Sequence, residues 1–158
     1  MSEQITYHWK RSSSIKSILQ RIVIWTATTI LIILFFNTGM GKVMNHIVFD
    51  TQLSRQPLPN WSKPILSYVL PVLELGTLCL LFNDHTRRWG LWTGTILMTA
   101  YSVYAYLAYI EFYGYVVCAC GKIFEKMSWQ RHFYFNTAIA SVSIVALYMY
   151  YKLNRSKK

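Results

Sequence analysis

Acidic residues are scarce in this chain: six Asp and Glu stand against sixteen Lys and Arg, and charges of both signs make up only 14% of its 158 residues. A soluble domain of this size seldom combines so little charge with long apolar runs, which argues against that class. Cysteine is scarce too, at three residues. Cys118 and Cys120 have no second cysteine pair to complete a closed four-ligand metal site, and none to relay electrons onward. No small-residue cleavage site follows the first apolar run. Asn37-Thr38-Gly39-Met40-Gly41-Lys42 follows instead, so the run reads as a retained span and not as a secretory signal. No internal repeat or low-complexity segment is present.

What the chain does have is four apolar runs, 22–41, 65–82, 89–110 and 133–151, each near the roughly 20 residues that cross hydrocarbon. They predict an all-α fold, an integral membrane four-helix bundle. The domain occupies 22–151, between a basic tail at 1–21 and another at 152–158. The first helix is expected to run to about Phe36 and bend at Asn37, Gly39 and Gly41. A loop follows at 42–64, irregular in its later, proline-bearing part. Ten of the sixteen basic residues lie in the two tails and the turn at Arg87-Arg88. Four spans put those three segments on one side, and the positive-inside rule makes that side cytoplasmic. The expected location is therefore a bacterial inner membrane, with both termini cytoplasmic and the loop at 111–132 periplasmic. The basic excess is accounted for by topology and anionic headgroups, which excludes nucleic acid as a partner.

Cys118-Ala119-Cys120 lies in that periplasmic loop, where disulfides persist. The C-x-C ring is smaller than that of C-x-x-C oxidoreductases, so its disulfide is strained and labile, suited to exchange and unsuited to a structural staple. Gly121 leaves room for an approaching thiol. Lys122 and His132 are nearby cations that favour thiolate. Cys118, Cys120 and His132 are accordingly the candidate catalytic residues, with Gly121, Lys122 and Trp129 in support. A soft-metal site for Cu(I) or Zn, drawing on Cys118, Cys120, Met127 and His132, is an alternative. Cys79 lies about a bilayer thickness from the pair and reads as a small buried hydrophobe.

Glu74 falls in the middle of the second run, where a carboxylate needs a partner or a proton. Lys42 is the nearest candidate cation. A protonated Glu74 bonded to Asn37 or to a tyrosine is the other. In the third run Tyr106, Tyr109 and Tyr113 share a helical face that could form a slot for a quinone, the one cofactor considered; bundle packing is the plainer use of such residues. Gly90-x-x-x-Gly94 opens that run and allows close helix contact.

Taken together, Asn37-Thr38-Gly39-Met40-Gly41-Lys42 and Pro71-Val72-Leu73-Glu74-Leu75 resemble the MauE/DoxX-like redox-associated membrane proteins. Cys118-Ala119-Cys120-Gly121, followed by Trp129-Gln130-Arg131-His132-Phe133-Tyr134-Phe135-Asn136, is similar to the MauE-type branch in particular. The resemblance implies a four-helix bundle that supports disulfide chemistry in extracytoplasmic proteins beside a thioredoxin-like partner or a client. It carries no substrate over to this chain. Three functions stay open on the sequence: a thiol–disulfide oxidoreductase, a non-catalytic scaffold packed against other membrane subunits, and a metal-handling protein.

Overall fold

A computed structural model describes the backbone of residues 2–112, 114 and 128–155, with side chains described from residue 15 onward except at 154. All secondary structure in this set is helical: α1 (Ser2–Met44), α2 (His46–Ser54), α3 (Ser62–Phe82), α4 (Arg87–Tyr109) and α5 (Trp129–Arg155). The four long helices close a ring. α1 packs on α3 and α5, and α4 packs on the same two from the other side. Leu31, Phe35, Leu81, Leu91 and Met98 fill the centre. The outward faces are apolar as well, with Trp25, Ile33, Val72, Ile96 and Ile144 exposed. In water such a surface would drive association, whereas hydrocarbon solvates it.

Among the described residues three helices qualify by length and apolarity to cross a membrane: Ile15–Met44 within α1, Ser62–Phe82, and Trp129–Leu153 within α5. The apolar run at 89–110, also expected to be a span, forms a helix, α4, whose 23 residues are long enough but do not meet the same apolarity. Arg87 and Arg88 open α4, and threonine, serine and tyrosine recur along it. Small residues carry its buried face, among them Gly90, Gly94, Ala105 and Ala108, and they let it sit close to its neighbours.

α1 is unbroken where its glycines predict a bend. The helix continues through Asn37, Gly39 and Gly41 to Met44. Asn37 Nδ2 donates to the Ile33 carbonyl at 2.7 Å, and the Thr38 hydroxyl donates to that of Leu34 at 3.0 Å. Both side chains therefore bond back one turn along the helix. Gly39 serves proximity instead: a Cβ there would stand 3.1 Å from Leu75 Cδ2 and 3.3 Å from Glu74 Cβ. The chain turns only at Asn45, after which α2 buries Phe49 and Leu53 and exposes Ile47 and Val48. The irregular stretch expected near the prolines is confined to 55–61.

The α3–α4 hairpin turns through Asn83, whose carbonyl accepts the Arg87 N–H at 2.8 Å. Gly90 makes the hairpin tight, because a Cβ at this position would lie 2.9 Å from the backbone nitrogen of Leu81. Backbone cannot yield as a flexible side-chain tip can. Gly90→Ala should therefore destabilise the protein by about 1–3 kcal/mol, as overpacking does. Thermal unfolding in detergent checks this, and an unchanged midpoint would mean that the two helices separate without cost. At the same end Arg87 pairs with Asp84, and its guanidinium lies 4.1 Å from the Trp25 ring centroid. Trp92 Nε1 donates to the Tyr151 hydroxyl at 2.8 Å. This belt of aromatic and basic side chains suits a membrane–water boundary.

Cys79 is exposed, contrary to its reading as a buried hydrophobe. It falls on the exposed face of α3, in line with Val72 and Gly76.

Candidate functional site: a buried ion pair beneath an aromatic cavity

Lys42, one turn beyond Gly39 on α1, faces α3 across the contact that Gly39 permits. Its Nζ donates to both carboxylate oxygens of Glu74, at 2.6 and 2.7 Å. From α4 the Tyr101 hydroxyl donates to Glu74 Oε1 at 2.6 Å. Glu74 is 0% exposed and Lys42 7%. The two candidate partners posed for Glu74, a lysine and a tyrosine, are thus both in place, while Asn37 is engaged elsewhere. The Lys42 ammonium also lies 5.6 Å from the Phe49 ring centroid and 6.0 Å from that of Tyr101. Opposite charges held this closely cancel, which is how a carboxylate is tolerated at this depth.

The triad forms one wall of a cavity of about 300 Å³. Leu34, Leu66, Leu70 and Met98 give apolar lining, and Phe35, Phe49, Tyr104, Trp129 and Phe135 give aromatic lining. α2 closes one side with Phe49 and Leu53, and Gln56 follows it. Gln56 is buried and accepts a hydrogen bond from the Tyr104 hydroxyl. His132 and Asn136, four residues apart on α5, complete the polar part of the lining. His132 is 2% exposed, and its ring lies 5.7 Å from that of Trp129, which in turn meets Tyr104 edge-on at 5.9 Å.

The predicted site residues divide into two sets. Lys42, Glu74, Trp129 and His132 all line this one cavity. Cys118, Cys120, Gly121 and Lys122 lie outside the described residues, as does Tyr113. The chain leaves α4 through Glu111 and Gly114, both at positive φ, and the described residues resume at Ser128, next to Trp129. Of the tyrosine face that could form a slot, Tyr106 and Tyr109 are 45% and 44% exposed, and Tyr106 packs against Phe133, in keeping with the plainer use in packing. The tyrosines that do line the cavity, Tyr101 and Tyr104, occupy the next face of the helix.

Sequence reasoning missed Gln56, Tyr104 and Asn136. It also missed His46, whose Nε2 is 3.1 Å from the Ser67 hydroxyl and whose ring stacks on Tyr68 at 4.7 Å. For Gln56 the sequence carried no periodic signal. Among the described residues no three His, Cys, Asp or Glu side chains group to hold a metal ion.

No curated protein and no solved structure matches the chain. Residues 20–149 match the family model of methylamine utilisation protein MauE. That stretch holds most of α1, all of α2, α3 and α4, every residue that lines the cavity, and most of α5. With three helices apolar and long enough to span a bilayer, the chain is a multi-pass membrane protein that belongs to the MauE family.

Proposed function

We propose that this protein is a membrane accessory protein that supports thiol–disulfide exchange in extracytoplasmic proteins through Cys118 and Cys120. On this reading the four long helices form a four-helix bundle in a bacterial inner membrane. The basic tails at 1–21 and 152–158 are cytoplasmic, and the loop carrying the two thiols is periplasmic. One cysteine forms a mixed disulfide with a thioredoxin-like partner or client, and the other resolves it.

One observation carries the proposal. Trp129 and His132, which follow the dithiol closely in sequence, line a largely apolar cavity at the start of α5. A histidine so near a thiol pair along the chain is suited to proton transfer. Membership of the MauE family and the scarcity of other cysteines agree with this reading. The supporting residues divide the remaining work. Lys42 and Glu74 fix α1 on α3, while Trp129 holds His132 in place.

Capture is the experiment. With Cys120 or Cys118 replaced by serine, the remaining thiol should retain a partner as a mixed disulfide that reductant releases. If neither variant captures an extracytoplasmic protein, and client disulfides form normally in both, the proposal fails.

A further inference from the structure

We infer that the cavity between Lys42 and Asn136 binds a lipid-soluble quinone head group. This goes beyond the preceding reading and stands whether or not Cys118 and Cys120 exchange electrons.

The lining specifies the ligand's chemistry. Its walls are mostly hydrocarbon and aromatic ring, so the ligand comes from the membrane and is apolar over most of its surface. The buried charges of Lys42 and Glu74 at the site cancel each other at 2.6 Å, so the ligand is neutral. Two polar groups in the lining have hydrogen-bonding capacity to spare. Lys42 places two of its three N–H groups on Glu74. Among the described residues the Asn136 side chain makes no hydrogen bond. Polar groups facing an apolar cavity call for a partner, and these two donate from different helices, α1 and α5. Their counterpart is a molecule with carbonyl oxygens on a flat ring. The rings of Tyr104, Trp129 and Phe135 supply faces and edges for stacking. A volume of about 300 Å³ lies at the lower end for small-molecule sites and suits a head group whose tail stays in lipid. A phospholipid acyl chain fills apolar space equally well but offers nothing to Lys42 or Asn136.

The test uses decylubiquinone titrated into the full chain in nanodiscs, with decylbenzene as the carbonyl-free control. Saturable binding of the quinone is expected, with decylbenzene at least tenfold weaker. Asn136→Leu keeps the side chain's size and removes one donor, and should weaken quinone binding about tenfold. Leu66→Trp should fill the cavity and abolish saturation. The double variant C118S/C120S should bind as the wild type does, which separates this result from the fate of the disulfide reading. Equal binding of decylbenzene would show an acyl-chain pocket and overturn the inference. So would an unchanged affinity in Asn136→Leu, or the lack of any saturable quinone binding.

Discussion

Lys42→Met should destabilise the protein by about 3–5 kcal/mol, because it strands a carboxylate that is 0% exposed. Methionine matches the lysine stem and cannot donate to Glu74. Glu74 then keeps a single one of these hydrogen bonds, from Tyr101, where it had three. Glu74→Leu alone should cost a similar amount by stranding the ammonium. The double variant K42M/E74L should recover most of the loss, since a buried pair replaced by hydrocarbon of similar volume is often neutral. Unfolding by denaturing detergent, monitored by circular dichroism, gives the three values. If the double variant were as unstable as either single one, Lys42 and Glu74 would be acting through separate partners.

The second large effect concerns the thiols. Serine at Cys118 or at Cys120 should reduce client disulfide formation to the level of a strain lacking the protein. Exchange needs an attacking sulfur and a resolving sulfur, and neither hydroxyl can do that work at neutral pH. The readout is the fraction of oxidised client after alkylation in cells. The same variants should unfold like the wild type, which distinguishes lost chemistry from lost fold. Normal client oxidation in both would leave the scaffold reading in its place.

How much was legible beforehand varied with the range of the cause. The positions of α3, α4 and α5 followed from runs of apolar residues, since hydrocarbon length is a local constraint. The Lys42–Glu74 contact was legible as one of two options, because a charge in an apolar helix demands a partner and the chain offers few. Its third member, Tyr101, could be named only as some tyrosine. The close approach at Gly39 was not legible because glycine serves both flexibility and proximity, and only the distance to Leu75 shows the second. The choice of Tyr101 and Tyr104 over Tyr106 and Tyr109 depends on how α4 is rotated against α3 and α5. Gly94 helps set that rotation by packing on Leu31, Phe35 and Thr77, neighbours far away in sequence. The cavity was illegible for the same reason: Lys42, Gln56, Glu74, Tyr104 and His132 come from different parts of the fold. α2 was missed because nine residues bounded by a loop carry too little periodic signal.

The account turns on which side of the membrane the dithiol faces. The direct measurement is labelling of intact, reductant-treated cells with a membrane-impermeant maleimide, using variants that keep only Cys118, only Cys120 or only Cys79. Labelling of Cys118 and Cys120 without permeabilisation, and none of Cys79, is the predicted result. Modification of the pair only after the inner membrane is opened would contradict it.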